Sequence, residues 1–200
     1  MKYPILCFVS IVLLWNAATI IAQETAPPAI LKADSNWGKE IIEFPIDWAP
    51  GMDLVGYEEL RFAPNWKNPD QEQFWTLAIA YKVQTPEPLS LSRIEQNFEA
   101  YFNGLMHPNH WAQHFPDPVF KLVSVDHSAS PQYQGKLKVF DGFHTGKMVT
   151  LNVQAQQKFC PKTKQTLVVF YITPQAFDHV IWDDLKAIAL SQEACSLTKS

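Results

Sequence analysis

The sequence predicts an α+β domain, in which an antiparallel meander of about seven strands carries two amphipathic helices packed on one face. About seven short segments alternate between apolar and polar residues, which is the periodicity of a β-strand. Short polar turns separate most of them, so neighbouring strands should pair in antiparallel fashion. Two further segments repeat apolar residues at helical spacing, and each of these helices needs a sheet face to cover.

The chain begins with the layout of a secretory signal peptide, residues 1–22. Lys2 supplies a positive charge, residues 5–14 form a short apolar run, and small residues precede the expected cleavage site. The next segment, residues 23–36, is polar and contains prolines, so it should be a flexible lead-in. Residues 37–200 should then form one globular domain. No second apolar stretch reaches the roughly 18 residues of a membrane span, so we expect a secreted or periplasmic protein without membrane insertion.

The predicted strands form a group of three and a group of four. They cover residues 40–47, 57–63 and 74–83, followed by 119–126, 133–141, 147–158 and 166–173. Residues 167–172 (LVVFYI) are apolar on both sides, which places the last strand in the centre of the sheet. The strand 147–158 alternates cleanly, which indicates one buried face and one solvated face.

The two predicted helices have different start signals. Ser92 and Glu95 match a capping box for a helix that ends near Met106, and Ser90 is a competing cap. The final helix should begin at Pro174, because proline suits the first helical position. Its buried stripe should consist of Phe177, Val180, Ile181, Leu185 and Ile188.

The charge of the chain argues against one class of partner. The formal net charge is −4, and loss of Lys2 with the signal peptide makes the mature chain more negative. An acidic surface without a basic stripe repels phosphate backbones, so nucleic-acid binding is not expected. The sequence also contains no nucleophile elbow, phosphate-binding loop, dinucleotide fingerprint or EF-hand loop. Without any of these motifs, the sequence does not indicate a particular reaction.

Three segments resemble a family of uncharacterised exported bacterial proteins. They are residues 59–66 (ELRFAPNW), 70–75 (DQEQFW) and 151–160 (LNVQAQQKFC), and the resemblance extends over most of the mature chain. It implies a shared fold and secretion, and it brings no catalytic residues with it.

Two cysteines, Cys160 and Cys195, remain after Cys7 is removed with the signal peptide. An even number of cysteines in an exported protein favours a disulfide, which would tie the C-terminal tail to the end of a strand. Two free thiols held apart by the fold are the alternative.

Three histidines have a spacing that could suit a metal. His107, His110 and His114 would share one face if the segment were helical, and imidazoles at that spacing can bind zinc or copper. Pro108 interrupts the set, however, and it contains no acidic residue. A polar loop is the favoured interpretation, so we expect no cofactor, with zinc as the alternative.

Three loop tryptophans are candidate ligand-binding residues. Trp48, Trp66 and Trp111 lie in segments rich in proline, asparagine or aspartate. Exposed aromatic rings in such loops could stack on sugars or grip a partner. The alternative is that they fold back and cover the sheet.

Three polar residues are further candidates. Asp141 and His144 flank a hairpin turn and could act as an acid/base pair, although aspartate also suits turn geometry for its own sake. Arg61 could bind a carboxylate or sulfate ligand, or could pair with an acid such as Glu59.

The leading functional hypothesis is an exported, non-enzymatic binding or accessory module with a small-molecule, glycan or protein ligand. It rests on the signal peptide, the loop aromatics and the lack of a nucleophile set. The alternative is a metal-dependent hydrolase that uses His107, His110 and His114.

Overall fold

A computed structural model describes residues 27–107, 114–126 and 132–196. The expected signal peptide, residues 1–22, lies outside these ranges. Neither of the described helices has the length and apolar character needed to cross a membrane.

Seven strands form one antiparallel sheet, as the sequence predicts, and two short strands form a second sheet. In chain order the elements are β1 (Leu31–Lys32), β2 (Gly38–Phe44), β3 (Gly56–Phe62), β4 (Leu77–Gln84), α1 (Leu91–Met106), β5 (Val119–Asp126), β6 (Gln132–Asp141), β7 (Lys147–Cys160), β8 (Gln165–Thr173), α2 (Ile181–Ala187) and β9 (Ala189–Leu190). The large sheet has the order β2-β3-β4-β8-β7-β6-β5, and β1 pairs with β9. Among the residues that the structure describes, strand accounts for 42% and helix for 15%, so the domain is mostly β rather than evenly α+β.

The sheet is two meanders joined at its centre. Strands β2 to β4 form one meander, and β5 to β8 form the other, with β4 paired to β8. Helix α1 connects β4 in the middle of the sheet to β5 at its far edge. Strand β8 is buried along nearly its whole length, which confirms its predicted central position.

The two helices lie on opposite faces of the sheet, which corrects the expectation that both pack on one face. Phe98 of α1 packs on the face that carries Ile79 of β4. Trp182 of α2 packs on the other face, with Ala80 of the same strand. Successive strand residues point to opposite sides, and the central strands are apolar on both. Each side of the sheet therefore needs its own cover.

Helix α1 starts at the competing cap rather than at the predicted capping box. The Ser90 hydroxyl accepts a hydrogen bond from the backbone N–H of Arg93 at 3.3 Å, and Ser92 lies inside the helix. Helical spacing predicts one apolar stripe of Ile94, Phe98, Tyr101, Phe102 and Leu105. The first four are buried, whereas Leu105 is only half-buried.

Helix α2 is shorter than predicted and begins at Ile181 instead of Pro174. The Asn152 side-chain amide donates to the carbonyls of Pro174 (3.4 Å) and Gln175 (2.9 Å), and this ties the segment to β7. Those carbonyls are therefore occupied where a helix would begin. Phe177 and Val180 are 36% and 70% exposed, so the predicted buried stripe is wrong at both positions.

Part of the expected flexible lead-in has a fixed place in the structure. Ile30 and Leu31 are buried, and β1 pairs with β9. The Glu59 carboxylate holds this segment, since Oε2 accepts the backbone N–H groups of Ile30 at 2.6 Å and Leu31 at 3.2 Å. The buried Glu59 carboxylate thus helps to fix the N-terminal strand against the sheet.

The predicted disulfide between Cys160 and Cys195 is present, with the two Cα atoms 5.6 Å apart. Cys160 is the last residue of β7 and is buried, whereas Cys195 lies in the tail beyond β9. The bridge therefore links the tail to the sheet.

Removal of this bridge should lower the free energy of unfolding. The sequence separation of 35 residues corresponds to a stabilisation of about 3–4 kcal/mol on the chain-entropy model. Urea unfolding of the Cys160→Ala/Cys195→Ala variant should show this loss, and reduced wild-type protein should behave like the variant. Equal midpoints for the oxidised wild type and the variant would contradict the prediction.

Candidate functional site

A cleft of about 720 Å³ opens between the β2–β3 edge of the sheet, α1 and the neighbouring loops. Its walls are mainly apolar, and many are aromatic: Trp48, Phe62, Trp66, Trp75, Tyr101, Phe102 and Phe143. The charged side chains that line it are Lys39, Glu40 and Lys67. The lining therefore has the composition of a small-molecule site, which is typically apolar with few polar groups.

Helix α1 and the Trp48 loop form one wall by a close approach of backbone to backbone. A Cβ atom on Gly104 would lie 2.2 Å from the Trp48 carbonyl oxygen and 2.8 Å from the Ala49 Cα. A side chain at this helical position would therefore push the loop away. The Trp48 ring meets Tyr101 edge-on, with centroids 5.2 Å apart. The glycine thus lets the loop place its tryptophan beside the helix.

The loop between β3 and β4 forms the opposite wall. Trp66 stacks on Phe62, with centroids 4.6 Å apart, and meets Trp75 edge-on at 6.2 Å. Backbone hydrogen bonds hold the loop closed, from Ala63 N–H to Thr76 at 3.0 Å and from Trp75 N–H to Trp66 at 3.0 Å. Two of the three predicted ligand-binding tryptophans, Trp48 and Trp66, are therefore half-buried and line one cleft.

A buried carboxyl group lies beside the floor of the cleft. Glu58 is fully buried, opposite Ile42 of β2 and Tyr81 of β4. Burial raises the pKa of Glu58 to about 8, the Tyr101 hydroxyl acts against this through hydrogen bonding, and the charge of Glu40 adds to it. Neither Glu58 oxygen makes a well-formed hydrogen bond with the described residues. The group is therefore neutral at pH 7.

His144 contacts the ring cluster behind this wall. Its ring lies 5.2 Å from Trp66 and 5.9 Å from Phe74, centroid to centroid. Burial lowers the pKa of His144, Asp141 raises it, and Lys67 lowers it further. The imidazole is therefore neutral at pH 7 and packs as an aromatic ring.

Asp141 is occupied by its own turn. Oδ1 accepts the backbone N–H groups of Phe143 at 3.1 Å and His144 at 3.2 Å. Oδ2 accepts the backbone N–H of Thr145 at 2.9 Å and its hydroxyl at 2.7 Å. Asp141 therefore accepts a hydrogen bond from the backbone of His144. The prediction that this aspartate stabilises its own turn accounts for all these hydrogen bonds.

Arg61 lies away from the cleft, on the opposite face of β3. Its Nε donates to Glu59 Oε1 at 2.7 Å, and its Nη2 donates to the Leu31 carbonyl at 3.2 Å. The guanidinium thus completes the anchor of the N-terminal strand, as the pairing alternative predicted.

His110, one of the three histidines proposed to bind a metal, lies outside the described residues. Trp111, the third candidate tryptophan, also lies outside them. His107 Nδ1 lies 3.0 Å from the Asn103 carbonyl oxygen, and His114 is exposed. Within the ranges that the structure covers, no three His, Cys, Asp or Glu side chains are placed to share a metal ion. Zinc binding by the three histidines stays a prediction.

Sequence reasoning missed most of the cleft, including Trp75 and Tyr101, and it also missed the buried Glu58 beside the cleft. A usable signal was the adjacent pair Glu58 and Glu59 in a predicted strand. Neighbouring strand residues point to opposite faces, so the pair places one acid on each side of the sheet. One acid then holds the N-terminal strand, and the other lies beside the cleft.

No protein-family model, curated protein or solved structure matches this chain.

Proposed function

We propose that this chain is an exported, non-enzymatic binding module that holds a small, largely apolar ligand in the aromatic cleft. The observation that carries the proposal is the cleft itself, about 720 Å³ in volume, with mainly apolar walls that include seven aromatic side chains. Pockets for small ligands span about 300–1,000 Å³ and are mostly apolar. The disulfide is compatible with a location outside the cytoplasm.

The lining favours a ligand with an apolar body over an oligosaccharide. Sugars need polar side chains around the plane of each ring, whereas here the charged groups are few: Lys39, Glu40 and Lys67. Trp48 and Trp66 are half-buried walls of a cleft rather than exposed platforms. A ligand with an apolar body and one polar end fits this distribution.

The polar groups near the cleft support binding rather than catalysis. Asp141 is taken up by its turn, and His144 packs as a neutral ring. Neither is arranged as a base beside a nucleophile among the described residues. The hydrolase alternative depends on the three histidines and is tested separately by elemental analysis of untagged protein.

Titration with N-phenyl-1-naphthylamine, a neutral apolar fluorophore, tests the proposal. We expect saturable binding with one site per chain and a change in the intrinsic fluorescence of the cleft tryptophans. Gly38→Leu should weaken binding about tenfold or more, which is about 1.4 kcal/mol. Gly38 lines the cleft, and a Cβ there meets Phe62 Cβ at an ordinary 3.4 Å, so the fold should accept the larger side chain.

Gly38→Ala is the matched control, because it makes the same backbone change and adds only a methyl group. Its affinity should stay close to that of the wild type. Absence of saturable binding, or equal affinity in Gly38→Leu and wild type, would contradict the proposal. Tighter binding of an oligosaccharide panel than of the fluorophore would change the ligand class to glycans.

A further inference from the structure

Buried polar groups without partners gather around the cleft. The indole N–H of Trp75, which lines the cleft, has no hydrogen-bond partner among the described residues. The same holds for the Tyr81 hydroxyl and for both carboxyl oxygens of Glu58. Buried polar groups nearly always find a partner, because an unmade hydrogen bond is costly. The cluster therefore indicates a ligand that supplies the missing partner.

Tyr101 connects the buried carboxyl group to the cleft. It lines the cleft, and its hydroxyl acts on the Glu58 carboxyl as a neighbouring polar group, without a well-formed hydrogen bond between them. The groups that bear on Glu58 are Glu40 from β2, Tyr81 from β4 and Tyr101 from α1, and none of these is a cation. Burial raises the pKa of both tyrosines well above the ordinary value, so both hydroxyls keep their protons.

The protonation state of Glu58 sets what Tyr101 can offer to a ligand. A neutral carboxyl group has a proton to offer to the Tyr101 oxygen and does not compete for the tyrosine proton, which stays free for a ligand in the cleft. An ionised carboxylate instead takes the tyrosine proton for its own hydrogen bond. The tyrosine then offers a ligand only its remaining lone pair. With Glu58 neutral, the Tyr101 hydroxyl and the unpartnered Trp75 indole are both available as donors; both residues line the cleft, where Lys39 and Lys67 add positive charge.

We propose that the cleft binds apolar carboxylic acids, whose carboxylate accepts hydrogen bonds from the Trp75 indole and the Tyr101 hydroxyl. This inference rests on the proposed binding function and names its ligand class. Glu40 is the one acid in the lining and opposes an anion, but it is exposed to solvent and screened. Glu58 is buried and has the larger effect once it ionises.

The inference predicts a pH dependence of definite sign. The Glu58 pKa is about 8 in the free protein, and a bound carboxylate raises it further by repulsion. The complex therefore holds more protons than the free protein above that pH. The affinity for a carboxylate should fall as pH rises through about 8, by up to tenfold per pH unit.

Decanoate, decanol and decylammonium have the same apolar chain and differ in the charge of the head group. Together they test whether the cleft prefers an anionic, a neutral or a cationic ligand. We expect decanoate to bind at least tenfold more tightly than decanol at about pH 6, and decylammonium to bind most weakly. The preference for decanoate should disappear near pH 9.5, about 1.5 units above the Glu58 pKa. The affinity for decanol should stay nearly constant.

Three variants assign the effect to residues. Glu58→Gln keeps a donor beside Tyr101 and should keep the preference for decanoate without its pH dependence. Tyr101→Phe should remove the preference, and Glu43→Gln, an exposed acid of β2 outside the cleft lining, should leave the pH dependence unchanged. Circular dichroism checks that each variant is folded.

The outcomes distinguish this inference from the function on which it rests. Equal binding of decanoate and decanol, preferred binding of decylammonium, or an unchanged pH profile in Glu58→Gln would each overturn the ligand class and leave the apolar cleft in place. Failure of all three chains and of the neutral fluorophore to bind would overturn the binding function itself.

Discussion

Replacement of Glu59 by alanine should lower the free energy of unfolding by about 3–5 kcal/mol, which is typical when one partner of a buried ion pair is removed. The Glu59 side chain is fully buried and accepts hydrogen bonds from the backbones of Ile30 and Leu31 and from Arg61. Its loss leaves a guanidinium that is only 13% exposed and two backbone N–H groups without their acceptor. The N-terminal strand should then detach from the sheet.

Glu58→Gln is the control for this prediction, because the two glutamates are adjacent and equally buried but differ in their partners. Glu58 has no well-formed hydrogen bond and is neutral at pH 7, so its replacement by glutamine should change stability by no more than about 1 kcal/mol. Urea unfolding measures both values. Native-state hydrogen exchange should show early opening of residues 30–32 in Glu59→Ala alone. Similar losses in the two variants would show that the partners of Glu59 contribute little.

The sequence predicted the sheet better than it predicted the helices. Alternation within 147–158 and the doubly apolar run 167–172 both follow from the period of a strand, and β7 and β8 confirm them. That period says which residues share a face, but not which face a helix will cover. The segment after β8 shows a second limit of prediction from the sequence. The side chain of Asn152, distant in sequence, occupies carbonyls that the final helix would otherwise have used.

The cleft could not be predicted from the sequence because its walls come from distant segments. Trp48, Trp66 and Tyr101 meet only after α1 has crossed the sheet and Gly104 has let the Trp48 loop approach. The disulfide was easier to predict, since only two cysteines follow the expected signal peptide. A disulfide can be predicted from a sequence when few cysteines are present. A cleft cannot, because the side chains that line it come together only through packing.

The largest effect expected in the core is that of Phe98→Ala, which should lower the free energy of unfolding by about 3–5 kcal/mol. Phe98 is fully buried and lies at the centre of the contact between α1 and the sheet. Its ring stacks on Phe170 with centroids 4.2 Å apart, and it meets Phe120 at 4.6 Å and Phe102 at 5.0 Å. The cavity left by the ring is lined by other rings that cannot easily close it, so the loss should fall in the upper part of that range.

Phe177→Ala removes the same number of atoms from a side chain that is 36% exposed, and it should cost less than about 1 kcal/mol. Thermal and urea unfolding compare the two variants. Phe98→Ala should also weaken fluorophore binding, because Tyr101 and Phe102 reach the cleft from the same helix. A strongly destabilised Phe98→Ala with unchanged affinity would mean that the cleft walls hold their positions without this helix contact. Weakened binding in Phe98→Ala but not in Phe177→Ala would show that the packing of α1 on the sheet shapes the cleft.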